Sequence, residues 1–578
     1  MRLYFIFLCF IAHLFGISAQ SLKTPFEKNN NQTSTYEECI NFYKALEKKS
    51  GLVKVIEAGA SDVSLPIYTV VLSSKKHFSP EKCRKAGKAI LLINNGIHPG
   101  EPDGIEASMM FARDLVMDPN QAKILDEISI VIIPIYNVGG SLLRNKYSRV
   151  NQIGPEEYGF RANAQNLDLN RDFIKCDSRN ALTFTGIFRH WDPDMFLETH
   201  TTDGADYPYL MTLISSQRHK LQIELGNYIY KHFIPPFLKS MSERNLDVIP
   251  YVNAHGDPSK GIYDFLDSPR FSSGYTALFH CMGFIAESHM LKPYAARVSA
   301  HKLLMQQLSE QIKIQKKELL NSRFEARTAA MKSNTLDIRW KIDPTRCDSI
   351  YFSGYTVEKK ISDVTGLEKI IYNKNNPYLK KIPYFNVCQP VKTVKRPTAY
   401  VIPAAYEAVI ERLKLNKVQM DRLQRDTLIQ ASFYKIQNLK SSTKPYESHF
   451  MHLEVNVEAQ KDKRLYLKGD YIIYTNQPAV KYIVETLEPE AHDAFFVWNF
   501  FDAVLQRKEY FSEYLFDDLA TAILTNDSKL KMEFEEKKAK DSMFRENSNA
   551  MLEFIYDRSI YAEPGYRIYP IAILFNEE

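Results

Sequence analysis

Two histidines and a glutamate are the residues of this chain whose types and spacing are best suited to bind a metal. His98 and Glu101 form an H-x-x-E pair in the run LLINNGIHPGEPDG, and His200 ends the apolar run DMFLETH. The pair alone is a weak signal, since about one such match is expected by chance in a chain of this composition. Two imidazoles and one carboxylate suit Zn²⁺ and leave a fourth position for water. The three residues therefore predict a hydrolytic zinc site if the fold brings them together.

The elements around these residues indicate that they do meet. Apolar, strand-like runs, KAILLINNGI and MFLETH, precede the H-x-x-E pair and end at His200. In an α/β fold the carboxyl ends of the strands gather at one edge of the sheet, where ligands bind. Gly96 and Gly100 permit a tight turn there, and residues three apart on a turn share one side. We therefore expect both histidines and the glutamate at one edge of a sheet.

The pattern of strands and helices predicts two regions. Strand-like runs such as ISIVIIPIYN and GFIAES alternate with helical runs such as DGIEASMMFARDLVMD, which predicts an α/β domain with a mostly parallel sheet over residues 36–322. From residue 323 to 578 the pattern changes to β-like alternation with occasional helices, which predicts a second, α+β region of unknown role. It could restrict access to the cleft, bind a polymeric substrate or brace the first domain.

The composition limits the function classes. Hydrophobic residues at 45% and charged residues at 25% are typical of a globular protein, and 578 residues are too many for one core. The net charge of +5 is spread thinly without a basic block, so we expect no nucleic-acid partner. The seven cysteines are widely spaced without a C-x-x-C pair, so the spacing predicts neither a thiolate zinc site nor a disulfide scaffold, although individual disulfides stay possible.

The amino terminus is typical of an exported protein. Residues 1–19 combine Arg2, an apolar run and small residues before a cleavage site after Ala19, which predicts a signal peptide. A membrane anchor is the alternative, but the segment is short for a span. Residues 20–35 are polar and predict a loose linker. We expect a secreted or periplasmic protein without a membrane span after signal removal.

The motifs together resemble those of the zinc carboxypeptidases, peptidase family M14, which includes carboxypeptidases A and B. The resemblance rests on HPGE, RANAQNLDLNRDF and the strand-terminal His200, and it extends from Tyr36 to Leu320. It implies a central eight-stranded mixed sheet flanked by helices and one catalytic zinc ion. It also implies that the substrate is a peptide with a free carboxyl terminus, whose last peptide bond is hydrolysed.

The resemblance assigns a role to each matching residue near the metal. His98, Glu101 and His200 are the implied zinc ligands. Asp168 in LDLN matches the aspartate that holds the first ligand histidine, and a carboxylate there makes the imidazole a better donor. Arg161 in FRAN matches the arginine that polarises the scissile carbonyl and stabilises the oxyanion.

Other matching residues concern the substrate and the proton. Asn170 and Arg171 match the pair that binds the terminal carboxylate of the substrate. Glu287 in GFIAESHM matches the general base, which takes a proton from the attacking water. The mobile tyrosine of the family has no clean match, and we prefer Tyr263 over Tyr275 because of its separation from Glu287.

The specificity pocket falls in the same poorly matched stretch. Arg270 and Asp267 are candidates for its lining, and Ser272 lies near the position of its floor.

Two alternatives to a peptide carboxypeptidase stay open. A zinc amidohydrolase of the same fold could act on peptidoglycan stem peptides or acyl-amino acids, since either can present a carboxylate near the scissile amide. A zinc-containing domain could also have become a non-catalytic binding module.

Overall fold

The computed structural model describes residues 22–254 and 256–575. The predicted signal peptide, residues 1–19, lies outside the described residues. Within the described ranges, no helix is both long and apolar enough to cross a membrane.

An eight-stranded mixed sheet forms the centre of the first domain, as the family resemblance implies. The strand order is β1-β2-β4-β3-β5-β9-β6-β7. Four of the seven neighbouring pairs are parallel: β3 with β4 and β5, β5 with β9, and β6 with β7. The strands of this part of the chain are β1 Val53–Ala60, β2 Pro66–Leu72, β3 Ala89–Asn94, β4 Ile128–Ile133, β5 Met195–Thr202, β6 Met211–Ser215, β7 Val248–Pro250, β8 Ile262–Tyr263 and β9 Met282–His289, of which β8 pairs elsewhere.

Helices cover both faces of this sheet. Both faces must be covered because the strands are apolar on both sides. In β3, Leu91 and Ile93 enter one apolar core, whereas Ile90 and Leu92 enter the other. The helices are α1 Pro25–Lys28, α2 Tyr36–Lys49, α3 Pro80–Lys85, α4 Asp103–Met117, α5 Pro119–Ala122, α6 Val138–Leu142, α7 Arg179–Trp191, α8 Ile223–Tyr228, α9 Ile234–Ser242, α10 Ser272–Ala277, α11 Tyr294–Ile314 and α12 Lys316–Lys332.

Two boundaries differ from those expected. The polar segment expected as a loose linker is folded from residue 22 onward, because its polar groups have specific partners. Thr24 and Thr35 form capping boxes, and Ser34 donates to the buried Glu106 carboxylate over 2.6 Å from its backbone N–H. At the other end, the closing helix does not stop at residue 322 but breaks at Gln315 and continues to Lys332.

The second region is α+β, as predicted. It contributes a two-stranded sheet, β10-β13, a three-stranded sheet, β11-β12-β8, and a six-stranded sheet, β15-β18-β14-β19-β16-β17. The strands are β10 Thr335–Ile342, β11 Asp348–Ile361, β12 Glu368–Phe385, β13 Cys388–Lys395, β14 Ala399–Ile402, β15 Asp421–Arg422, β16 Thr427–Ser441, β17 His452–Tyr466, β18 Tyr471–Tyr474 and β19 Ala572–Leu574. The helices are α13 Glu407–Leu415, α14 Val480–Leu487, α15 Glu513–Asn526, α16 Ser528–Lys540, α17 Ser542–Arg545 and α18 Ser548–Tyr556.

The two regions share one apolar core. Phe184 and Phe188 of α7 belong to the same buried cluster as Tyr482 of α14 and Trp498. This continuity means that one face of the central sheet is completed by the second region. The six cysteines of the described chain are unpaired, and only Cys347 among them is exposed.

Candidate active site

Two adjacent parallel strands, β3 and β5, bring the predicted metal ligands together. The H-x-x-E turn follows β3, and His200 lies near the end of β5. Candidate ligand atoms of His98, Glu101 and His200 all lie within 4.8 Å of one another. Oε1 of Glu101 is 3.3 Å from His98 Nδ1, and Oε2 is 3.0 Å from His200 Nδ1. All three side chains are buried, so an ion here would be largely shielded from water.

The donor set fits a metal cation. His98 directs Nε2 at Asp168 Oδ1, 2.9 Å away, while its Nδ1 is buried without a hydrogen-bond partner. A nitrogen whose lone pair faces a carboxylate suits a cation between them. Burial alone would lower the pKa of His200, but Glu287, Glu101 and Glu198 outweigh burial and raise it. The excess of negative charge around this histidine also favours a bound cation.

A buried glutamate orients the second histidine. Glu198 Oε2 accepts from His200 Nε2 at 3.0 Å and from Ser272 Oγ at 2.7 Å. Its Oε1 accepts from Asn94 Nδ2 at 2.9 Å. Glu198 therefore does for His200 what Asp168 does for His98, and Ser272 serves this network.

Arg149 is a residue of the site that the sequence did not single out. Its Nη1 donates to Glu101 Oε1 and its Nη2 to the carbonyl of Thr201, both over 2.7 Å. It therefore ties the H-x-x-E turn to the strand that carries His200. Arg149 lies in the run YSRVNQ, which has no motif that could have identified it.

Arg161 and Asp168 form the side of the site next to His98. Nη2 of Arg161 lies 2.9 Å from Asp168 Oδ2, and Nη1 lies 3.3 Å from Glu101 Oε1. The arginine side chain is 44% exposed, which leaves it accessible to a ligand. Burial by itself would raise the pKa of Asp168, but His98, Arg161 and Arg171 outweigh it and hold that pKa well below its usual range.

Asn170 and Arg171 lie on a short 3-10 helix, Leu169–Arg171, which Asp168 caps at its amino end. The Asp168 carboxylate accepts from the Asn170 backbone N–H at 2.9 Å. The Asn170 Oδ1 atom is buried without a hydrogen-bond partner. The Arg171 guanidinium lies over the Phe271 ring, 4.5 Å from its centroid, and donates to the Asn170 carbonyl. The ring thus holds the guanidinium next to Asn170.

Glu287 lies beside His200 on the neighbouring strand. The two residues are register partners in the parallel pairing of β5 and β9, so their side chains share one face of the sheet. Burial, reinforced by Glu101, raises the pKa of Glu287 to about 8, against the opposing effects of His200, Arg149 and Arg161. The residue is nevertheless partly exposed, so its carboxyl group lies deep in the site with an opening to solvent.

Two tyrosines are relevant to the expected mobile tyrosine. Tyr263 lies in β8, and its ring stacks on Phe385 of the second region with centroids 4.7 Å apart. The Tyr251 hydroxyl accepts from Thr202 Oγ1 at 3.3 Å. Burial and the nearby Glu287 carboxylate raise the pKa of Tyr251 to about 12. Tyr263 stays a prediction, and Tyr251 is a second tyrosine whose electrostatics connect it to Glu287.

The residues expected around a specificity pocket have internal partners. Arg270 pairs with Asp493 of the second region, with Nη2 and Oδ1 2.7 Å apart. Asp267 pairs with Lys220 at 3.0 Å. Because these charges are neutralised inside the protein, they offer little to a substrate side chain.

Comparison with known proteins finds similarity to carboxypeptidases. Residues 39–203 match the model of a family described as zinc carboxypeptidase, peptidase M14. Carboxypeptidase 2 of Trichophyton rubrum is 20% identical over 418 residues, which cover 70% of this chain and 72% of the relative. Carboxypeptidase 2 of Trichophyton tonsurans is 21% identical over 417 residues, with the same coverage. A metallo-carboxypeptidase structure from Burkholderia cenocepacia is 17% identical, with a TM-score of 0.36, and covers 49% of this chain and 70% of that one.

Proposed function

Because residues 39–203 match the zinc carboxypeptidase family, a class of metal-dependent hydrolases, we propose that the chain removes the carboxyl-terminal residue of peptides outside the cytoplasm. One observation carries the proposal: the Asp168 carboxylate contacts residues from three predicted sites, which would bind the metal, the scissile carbonyl and the terminal carboxylate of the substrate. Asp168 Oδ1 accepts from His98 Nε2 and the Asn170 backbone, and Oδ2 pairs with Arg161. A substrate bound by its terminal carboxylate would therefore place its last peptide bond beside the metal ligands.

Each residue of the site has a separate task in this proposal. Bound by His98, Glu101 and His200, one zinc ion would polarise the scissile carbonyl and lower the pKa of a water molecule. Arg171 and Asn170 hold the terminal carboxylate of the peptide, and a guanidinium can do so with two parallel hydrogen bonds. Their position fixes which bond is cleaved.

Arg161 and Glu287 act on the reacting atoms. Arg161 donates to the scissile carbonyl oxygen and stabilises the negative charge that develops on it. Glu287 accepts a proton from the attacking water and delivers it to the departing amine. Tyr263 would close over the bound peptide. The export part of the proposal rests on the signal-like pattern of residues 1–19.

The test is mass spectrometry of a peptide library incubated with the mature protein. Each peptide is supplied with a free and with an amidated carboxyl end, with and without a zinc chelator. We expect chelator-sensitive loss of single residues from free ends only, and no such loss with the Glu287→Gln variant. Zinc-loaded protein that cleaves neither form would contradict the proposal, and γ-D-glutamyl peptides and acyl-amino acids would then be tested as substrates.

A further inference from the structure

We propose that a turn of the second region, residues 446–449, positions the segment that binds the substrate carboxylate. The segment in question is residues 168–177, which carries Asn170 and Arg171. The inference rests on the proposed function of these two residues. It assigns the second region the role of a positioning element of the active site.

The turn contacts the beginning of the segment through Glu447. Its Oε2 accepts a hydrogen bond from the Asp168 backbone N–H over 2.8 Å, across a separation of 279 residues. Asp168 is the residue whose side chain contacts His98 and Arg161. Glu447 therefore fixes the backbone of Asp168, the residue that lies between the predicted metal ligand His98 and the predicted carboxylate-binding residue Asn170.

The turn also contacts the end of the segment. His449 Nε2 lies 2.8 Å from Asp177 Oδ2. Arg412 of α13 donates to the backbone carbonyls of Lys175 and Cys176 over 2.5 and 3.1 Å. With both ends held by the second region, the intervening residues have little freedom to move.

The backbone of the turn is strained in a way that requires support. Tyr446 and His449 exchange two backbone hydrogen bonds of 2.8 and 3.0 Å, while Glu447 and Ser448 have φ values of +49° and +68°. Two consecutive positive φ values usually call for Asn or Gly, so Glu and Ser here are unfavourable for the isolated turn. The contacts with the segment and with the core are what support this geometry.

The base of the turn is packed on a buried tryptophan. The Tyr446 ring stacks on Trp498 with centroids 6.1 Å apart, and the His449 ring meets it edge-on at 5.5 Å. Trp498 is fully buried and also lies under the Arg270 guanidinium, 5.1 Å away. The turn is therefore anchored to the shared core rather than to a surface loop.

The first test compares two changes at one position. Glu447→Ala removes the acceptor, and we expect kcat/KM to fall about tenfold, mainly through KM, with zinc content unchanged. Glu447→Gln keeps an acceptor oxygen and is expected to stay within about twofold of the wild type. Glu454→Ala is the control, because Glu454 is exposed and pairs only across the hairpin with the exposed Lys440. A Glu447→Gln variant as impaired as Glu447→Ala would overturn the proposal.

A double-mutant cycle separates positioning from a general loss of stability. If Glu447 acts through the segment, Glu447→Ala has little further effect on KM in an Arg171→Met background. Fully additive effects of the two changes would mean that Glu447 does not act through Arg171, contrary to the proposal.

Hydrogen exchange tests the contact without reference to turnover. We expect the amide of Asp168 to exchange at least about tenfold faster in Glu447→Ala than in the wild type. If the wild type cleaves no peptide, the proposed function fails while this measurement still decides whether the turn holds the segment. Unchanged exchange in an active enzyme would overturn the inference alone.

Discussion

Replacing Glu198 isolates the contribution of one buried negative charge to the zinc affinity of the proposed metal site. The carboxylate is fully buried and accepts hydrogen bonds from His200, Ser272 and Asn94. Alanine would leave three buried donors unpaired at about 1–3 kcal/mol each, enough to threaten folding. Glutamine keeps the shape, and the Asn94 Oδ1 atom, buried without a partner, can accept from the new amide after that side chain flips.

The expected effect of Glu198→Gln is a loss of zinc affinity without a comparable loss of folding. A neutral acceptor makes the His200 imidazole a weaker donor, and such changes lower metal affinity about 10–100-fold. This corresponds to about 1.4–2.7 kcal/mol. The stability of the zinc-free protein should change by less than about 1 kcal/mol, because the number of hydrogen bonds made by residue 198 is unchanged.

Two measurements check this prediction. Competition with a chromogenic chelator gives the zinc affinity, and urea unfolding in excess chelator gives the zinc-free stability. Glu488→Gln is the matched control, a second buried glutamate that belongs to the other region and has no contact with the metal site. A zinc affinity within about twofold of the wild type would refute the reasoning. So would a free energy of unfolding of the zinc-free protein that falls by as much as the free energy of zinc binding.

Three further predictions concern the base, the carboxylate site and a buried carboxyl group. Glu287→Gln should lower kcat by about 10²–10⁴-fold at unchanged zinc content, measured by steady-state kinetics and metal analysis. Arg171→Met keeps an apolar contact with Phe271 but should raise KM for free-ended peptides about 10–100-fold, whereas unchanged KM would contradict its role. Burial raises the pKa of Glu488 to about 7, so its stabilising contribution is complete below about pH 4.5 and is lost as pH rises through 7. The free energy of unfolding of Glu488→Gln, relative to that of the wild type, should therefore rise by about 3 kcal/mol between pH 4.5 and pH 8, as measured by urea unfolding. A difference that does not depend on pH would disprove this.

The proximity of His98, Glu101 and His200, the predicted metal ligands, could be predicted from the sequence for a simple reason. Each of the three lies at or just after the carboxyl end of an apolar strand, and parallel pairing brings such ends together. Glu287 was assigned by its resemblance to the family's general base, and the structure places it beside His200 because β5 and β9 are neighbours. The change from an α/β to an α+β pattern was also predictable, because periodicity is a local property of the chain, whereas the eight-stranded sheet was implied only by the family resemblance.

Other features depend on partners that no local pattern reveals. Arg149 contacts Glu101 and Thr201 at separations of 48 and 52 residues, from a loop without a motif. The folded state of residues 22–35 was missed because composition does not distinguish a polar group that faces water from one that faces a buried carboxylate such as Glu106. Glu447 could not be found at all, since its role depends on how two regions pack.

The separation between Glu447 and Asp168 bears on the order in which the protein becomes active during synthesis. Chains emerge from the ribosome amino terminus first, and early domains can fold before later ones exist. A nascent chain that has reached residue 322 already contains His98, Glu101 and His200, but not the turn that holds residues 168–177. On this proposal the metal ligands are synthesised before the turn, and we expect efficient peptide binding only after the second region has been made and has folded.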